Sequence, residues 1–591
     1  MKEFQFHPEV NTLNENGLYM VGWVISQKPL TYRVFDGDKK ECPYRVFGFP
    51  RSDINEDFGL QEGTLTGFRL QILIPESEIR ARLPITVEVS GDGVLSTRFT
   101  DEDYKKEYYA KGSGFWPKAH RGMDYLMKNG IRMTLHRLLS EGDSAKGSDE
   151  AYLQWLKDHT PTPEELNRQS EEVFSYRPKI SLVIPVYRTP ESYLREMLDS
   201  ILSQSYQNME ICLAVASDED CSDGQTIRIR EILDEYKKKL PQLKHQILDC
   251  NYGIGENTNR AIGMATGDVV AFMDHDDVLS PDAFYEVVRA FNKTEEIDIV
   301  YTDQDKVDEE SRSYFDPFFK PDYDPVMLCG LNYMSHFFAV KRSLLSELSY
   351  WNSPEFDGAQ DYDLIFRLTE RAKGIAHVPR PVYHWRAHSA STAESPYAKR
   401  YAYDAGKRAI AAHYRRLHIP AEVDFGPEPG TYVTEFLHED LPESAVLMLS
   451  EHDGEDVVSA RITQALEAAG EGYLFILHED IKAKPEDLLP DLFGYALQEN
   501  VAACMPKVLY ADEMEDVTKS AAHFNGLVAK CVPFAPVDAV LLKADRCRYY
   551  DGKIVPCSGF VVVRHPEAVH HRRVKKPKEA DLPCETEEKK I

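Results

Sequence analysis

A chain of 591 residues is too long for one hydrophobic core, and length alone calls for roughly three or four domains. Hydrophobic residues at 42% and charged residues at 28% are ordinary for a globular protein, and a net charge of −29 argues against nucleic acid as a general partner. No apolar run reaches membrane-span length, Met1-Lys2-Glu3-Phe4-Gln5 lacks a signal-peptide core, and the ten cysteines form no C-x-x-C pair. The expectation is a cytoplasmic protein without a disulfide framework or a zinc site. The basic clusters His570-His571-Arg572-Arg573 and Lys575-Lys576 read as a solvated tail, with contact to anionic lipid as the other reading.

Residues 1–100 read as all-β, a small β-sandwich that serves as a spacer or binds glycans. Alternating runs lie at Tyr19–Ile25, Tyr32–Phe35, Phe68–Ile74 and Ile85–Val89, with turns at Asp36-Gly37-Asp38 and Gly91-Asp92-Gly93. Residues 101–177 carry helical periodicity at Met123, Leu126 and Met127, at Ile131, Leu135 and Leu138, and at Leu153 and Leu156. They read as a helical connector ending near Pro161 and Pro163.

Residues 178–425 alternate strand and helix. Ile180–Val186 is almost wholly apolar, as a buried parallel strand should be. Pro190 then opens a helix with Leu194, Met197, Leu198, Ile201 and Leu202 on one face. Glu210–Val215 is a second strand, Gln246–Leu248 a short third, and Ile297–Tyr301 another. This grammar predicts a mostly parallel sheet with helices on both faces.

Between these elements, the apolar run Val269–Met273 ends in Asp274-His275-Asp276-Asp277. Three carboxylates in four residues repel one another unless a divalent cation neutralises them, and hard oxygen ligands suit Mg²⁺ or Mn²⁺. In open α/β sheets the carboxyl ends of strands are where ligands bind. A solvated acidic turn before a helix capped at Ser280-Pro281-Asp282 is the other reading.

Residues 430–591 repeat the grammar more weakly. Gly472–Ile481 parallels Asp268–Val278, and Ser558–Arg564 parallels Ser335–Lys341. Aligned by their acidic ends, the first pair puts Leu477 where Asp274 stands, and an apolar side chain cannot hold a cation. The expectation is a degenerate second copy.

Taken in order, several motifs between 178 and 400 resemble the inverting glycosyltransferases of family 2. They are Ile184-Pro185-Val186-Tyr187, Asn251–Asn259, Asp274-His275-Asp276-Asp277, Tyr301–Lys306, Phe319–Tyr323, Gly358–Leu364 and Tyr383-His384-Trp385-Arg386. The resemblance is to bacterial members that build surface polysaccharide, rhamnosyl- and galactosyltransferase-like, and it does not cover the flanking domains. It implies a Rossmann-like GT-A domain over 178–425, in a multidomain α/β protein. The β-sandwich precedes that domain and a degenerate GT-A-like domain follows it over 430–591.

The resemblance also implies roles. Asp274 and Asp276 hold Mn²⁺ or Mg²⁺, with Asp277 a metal neighbour or a helix cap. His384, 23 residues after Asp361 (384 − 361), is the third ligand, with a packed core histidine as the alternative. Asp361 is the general base, and Gln360 replaces the usual Glu before it. Asp363 caps the following helix. Pro185, Val186 and Tyr187 border the nucleobase, Asn257 and Asn259 contact the nucleotide, and His275 lines the same pocket. Arg386 and His388 reach the diphosphate, unless Arg386 pairs with a structural acid.

One position departs from the family: Val215 stands where an acid usually reads the base, leaving Asp218 or Asp220 as substitutes. The partners implied are a nucleotide-diphosphate sugar and a glycan or lipid-linked glycan acceptor, without nucleic acid. Peripheral association with the inner membrane face and a homo-oligomer are compatible with the class. The competing reading is a catalytically inactive glycan-binding or scaffold subunit of a polysaccharide-synthesis complex. A two-carboxylate glycoside hydrolase is weaker, since it needs no nucleotide motifs.

Overall fold

The computed structural model describes residues 4–14, 17–51, 54–55, 58–61, 64–74, 76–105, 145–217, 223–387, 400–426, 430–437, 442–450, 455–479, 481, 485–498, 501–510, 539–543, 547–550, 553–556 and 559–570. The chain divides into two compact units, residues 1–417 with 428–432, and residues 418–427 with 433–591. The expected connector helices around Met123 and Ile131 lie outside the described residues; Leu153 and Leu156 fall in the helix Ala145–His159.

The first hundred residues form a four-stranded and a three-stranded antiparallel sheet. Leu18, Met20, Phe68 and Leu70 from the first share one core with Val34, Ile85, Val87 and Phe99 from the second. Alternate side chains of each strand point into that core, as a two-sheet packing requires.

The central sheet runs, in spatial order, Leu243–Ile247, Met209–Ala216, Ile180–Tyr187, Val269–Phe272, Phe338–Lys341, Ile297–Val307, Gly374–Arg386 and Val278–Leu279. Its first four strands are parallel, but Phe338–Lys341 runs antiparallel to both neighbours. Ile297–Val307 and Gly374–Arg386 return to the direction of the first four, so the sheet is mostly parallel, as sequence alternation predicts, with Phe338–Lys341 and Val278–Leu279 reversed. Met209–Ala216 is buried at every position. The helices Glu191–Leu202 and Ala283–Phe291 supply Leu194, Ile201 and Phe284 to the core against it. The helix within and after the Asn251–Asn259 motif spans Ile254–Ile262, capped by Gly263.

In the second unit the order is Ser444–Leu449, Tyr473–His478, Ala539–Lys543, Val501–Tyr510 and Gly559–His570. The strand directions read parallel, antiparallel, antiparallel, parallel. From Ile180–Tyr187 to Gly374–Arg386, the central sheet shows the same order and directions. Topology therefore matches Ala539–Lys543, not the expected 558–564 segment, to Phe338–Lys341; Gly559–His570 takes the place of Gly374–Arg386.

Glu210 is a buried acid inside the central sheet. Its carboxylate accepts from Ser181 Oγ at 2.7 Å, Thr266 N at 2.6 Å and Lys244 Nζ at 2.9 Å, and pairs with Lys179. Burial alone would raise this carboxyl, but the hydrogen bonds from Lys179, Ser181 and Lys244 outweigh it and hold it well below the usual range. A depressed folded value contributes stability above the unfolded value near 4.3, and that contribution is lost as pH falls. Glu210→Ala should lower the unfolding free energy at neutral pH by about 3 kcal/mol, because the lysines lose their buried partner. Urea unfolding at pH 7 and in the acid range checks both the loss and the variant's flatter acid response.

Candidate active site

The acidic turn leaves the strand Val269–Phe272, which pairs antiparallel with Phe338–Lys341 in the register Phe272 to Phe338. Asp274 lies two residues beyond Phe272, and His336 two residues before Phe338. Ligand atoms of Asp274, Asp277 and His336 lie within 4.8 Å of one another. Asp277 is fully buried; its Oδ1 accepts from Arg386 N at 2.8 Å and its Oδ2 from Tyr383 OH at 2.5 Å. Burial, then the charges of Asp276 and Asp274, push its carboxyl well above the ordinary range. Burial pushes His336 down to about 4, against the pull of Asp361, so its imidazole is neutral at pH 7.

Asp361 lies in the first turn of the helix Gln360–Thr369, after Gly358 at φ +97°. Its Oδ2 accepts from Asn332 Nδ2 at 3.0 Å. Burial raises its carboxyl, while His336 and the Asn332 hydrogen bond draw it back. Carboxylates and a neutral imidazole are a donor set suited to Mn²⁺ or Mg²⁺, and the mutual repulsion around Asp277 is what a cation would relieve. The residues present fit the ion that the sequence implies.

Other expected site residues lie elsewhere or are otherwise engaged. His384 is 5% exposed, with Nδ1 2.6 Å from Asp305 Oδ1 and Nε2 3.1 Å from Ser280 Oγ. Both ring nitrogens are thus engaged away from Asp274 and Asp277. Arg386 reaches the acidic turn as scaffold: its Nε donates to Asp276 O at 2.6 Å and its Nη2 pairs with Glu196 at 2.7 Å. Asp363 pairs with Arg367 (Nε to Oδ2, 2.9 Å) and does not cap its helix.

Asn257 is buried, and its Nδ2 donates to Asn251 Oδ1 at 2.9 Å. Asn259 donates to Asn352 O at 2.9 Å and accepts from Asn352 N at 3.0 Å. Pro185 and Val186 are buried in their strand; Tyr187, half-buried at its end, lies beside Arg188, whose guanidinium is 5.4 Å from the ring centroid. His275 Nδ1 is 2.9 Å from Thr189 Oγ1. Val215 is fully buried and paired with Val186. Asp218, Asp220 and His388 lie outside the described residues.

Sequence reasoning missed His336, Asn332 and Tyr383. The signal for His336 lay in pairing Ser335–Lys341 with the acidic strand, which spacing along the chain does not reveal.

Residues 181–349 match the family model described as glycosyl transferase family 2. The chain carries a family 2 glycosyltransferase domain. The uncharacterized protein y4gI of Sinorhizobium fredii is 38% identical over 260 residues, covering 43% of this chain and 28% of its own. The O-antigen biosynthesis protein RfbC of Myxococcus xanthus is 32% identical over 297 residues, covering 50% and 23%. The chain thus spans about a quarter of the length of these curated relatives. Among solved structures, S. aureus TarS 1-349 in complex with UDP-GlcNAc aligns at 22% identity and a TM-score of 0.32, covering 40% of this chain and 66% of that one.

If His336 belongs to the cation site and His384 does not, the two histidines should respond oppositely. His336→Ala should weaken Mn²⁺ binding by about 10- to 100-fold. His384→Ala should leave it within a few-fold but destabilise the protein by about 1–3 kcal/mol, since buried Asp305 loses a partner. Calorimetric Mn²⁺ titration and thermal unfolding of both variants read this out.

Proposed function

We propose that this domain transfers a sugar, with inversion, from a nucleotide-diphosphate donor to a glycan or lipid-linked glycan acceptor in bacterial surface-polysaccharide synthesis. The carrying observation is the convergence of Asp274, Asp277 and His336 with Asp361 at one end of the sheet of a family 2 domain. The name of RfbC, an O-antigen biosynthesis protein, supports the surface-polysaccharide setting.

The acceptor hydroxyl oxygen attacks C1 from the face opposite the diphosphate. The new C1–O bond forms as the bond from C1 to the phosphate oxygen breaks, and the nucleoside diphosphate leaves with the electron pair. The acceptor's proton passes to the Asp361 carboxylate. Partial burial raises the basicity of that carboxylate, and Asn332 holds its orientation. Asp274, Asp276, Asp277 and His336 are the residues that would hold Mn²⁺ or Mg²⁺, which when bound supplies positive charge to the leaving diphosphate. His275, Tyr187 and Arg188 border the side of the turn where a nucleotide would lie.

Among the described residues no helix is long and apolar enough to cross a membrane, so contact with a lipid-linked acceptor would be peripheral. One observation favours the scaffold reading instead: Val215 is packed in the core and offers no acid to a nucleobase.

Asp361→Asn separates the two. It should lower kcat by about 10²- to 10⁴-fold while Mn²⁺ binding persists. Unchanged transfer by the variant would remove Asp361 from the reaction. Absence of transfer by the wild type with every nucleotide sugar would favour the scaffold.

A further inference from the structure

We infer that Arg69 and Arg51 of the N-terminal β-domain set the position of the loop carrying Asp361, so that this domain is part of the active-site scaffold. The inference deepens the proposed function and rests on Asp361 being its base.

The loop Asn352–Gly358 leads directly into the helix Gln360–Thr369. It carries two acids, Glu355 and Asp357, both largely buried. Each meets an arginine from the β-domain. Arg51, 3% exposed, places Nε 3.2 Å from Glu355 Oε1 and also grips Glu9 with Nη1 at 2.6 Å. Arg69 pairs with Asp357 and donates from Nη1 to Tyr252 O at 3.1 Å.

Asp357 in turn accepts from Gly255 N at 3.1 Å, and burial raises its carboxyl while Arg69 opposes the rise. One guanidinium therefore ties together the loop before Asp361 and the loop that opens the helix Ile254–Ile262. The fit is close. A Cβ at Gly253 would lie 1.9 Å from Arg69 Nη1, and one at Gly255 would lie 2.8 Å from Asp357 Oδ1. The Phe47 ring meets the Tyr252 ring edge-on at 5.5 Å on the same seam.

Arg69 is well placed to act as a fixed post. Its strand Leu65–Ile72 is hydrogen-bonded on both sides, to Gly17–Ile25 and Tyr44–Pro50. Its guanidinium lies 5.2 Å from the Tyr19 ring centroid. Asp357 is four residues before Asp361 (361 − 357), too short a span to absorb a shift of the loop. A spacer or an independent glycan-binding module would have no reason to send two arginines into buried acids of this one loop. Arg69 is thus a positioning residue, acting on the base through Asp357 and Gly358.

The test is hydrogen–deuterium exchange of the full chain and its Arg69→Met variant, followed by kinetics. Segments 251–258 and 352–361 should exchange at least about tenfold faster in the variant, with Ile180–Ala216 unchanged. kcat should fall by about 10- to 100-fold, because a base displaced by an ångström loses that much. Mn²⁺ affinity should stay within about twofold, since the cation site is separate. Arg69→Lys, which keeps charge but not the fork, should fall between. Should Arg69→Met not fold, Asp357→Asn, which keeps the shape and removes the charge, should show the same local exchange response.

Unchanged exchange and kcat in Arg69→Met, or exchange rising equally across the sheet, would overturn the inference. If the local response appears but the wild type transfers no sugar, the clamp holds and the functional reading fails.

Discussion

Negative charge gathered at one end of a buried sheet is the constraint around which this domain is arranged. Asp274, Asp276 and Asp277 sit in four consecutive residues, and Asp277 is wholly inside the protein. Hydrogen bonds from the protein hold Asp277 in place. Tyr383 and the Arg386 amide donate to Asp277, while the Arg386 guanidinium is taken up by backbone carbonyls, Ser311 and Glu196. His336, whose ring nitrogen lies within 4.8 Å of Asp274 and Asp277, is kept neutral by burial. Carboxylates gathered this closely are what a bound divalent cation would neutralise.

The carboxylate proposed as base is held by a different set of forces. Asp361 stands in the first turn of a helix, where the backbone amides favour an anion, yet its surroundings push its pKa upward. Asn332 fixes one of its oxygens. The loop before it carries acids of its own, answered by arginines from the β-domain. Cation site and base thus depend on separate supports, and damage to one need not disturb the other. The second unit repeats the strand order of the first, but Leu477 at the end of its strand is buried and apolar.

Much of this was legible in the sequence because burial writes itself into composition. Ile180–Val186 and Glu210–Val215 read as strands for the reason they are strands: their side chains lie in the core on both faces. The acidic turn was legible because three carboxylates at the end of an apolar strand repel one another until a cation joins them. The antiparallel strand Phe338–Lys341 was not, since periodicity carries no direction, and with it went His336. His384 stands at a persuasive spacing from Asp361, but spacing does not say which neighbour a side chain meets. Pairing with Ile297–Val307 sets it against Asp305. The family resemblance implies ligand contacts for Asn257 and Asn259; in the fold they stitch their helix to adjacent loops.

The most direct test of a cation-dependent donor site is nucleotide binding by the purified full chain. Calorimetry or thermal shift with UDP, dTDP, GDP and CDP, each with Mn²⁺ and with chelator, is compared with Asp276→Ala. One nucleotide should stabilise the wild type only when Mn²⁺ is present, and the variant should lose the effect, because a ligand selective for the folded state must raise its stability. Binding of that nucleotide equally well in chelator, or by Asp276→Ala, would contradict a cation-dependent donor site.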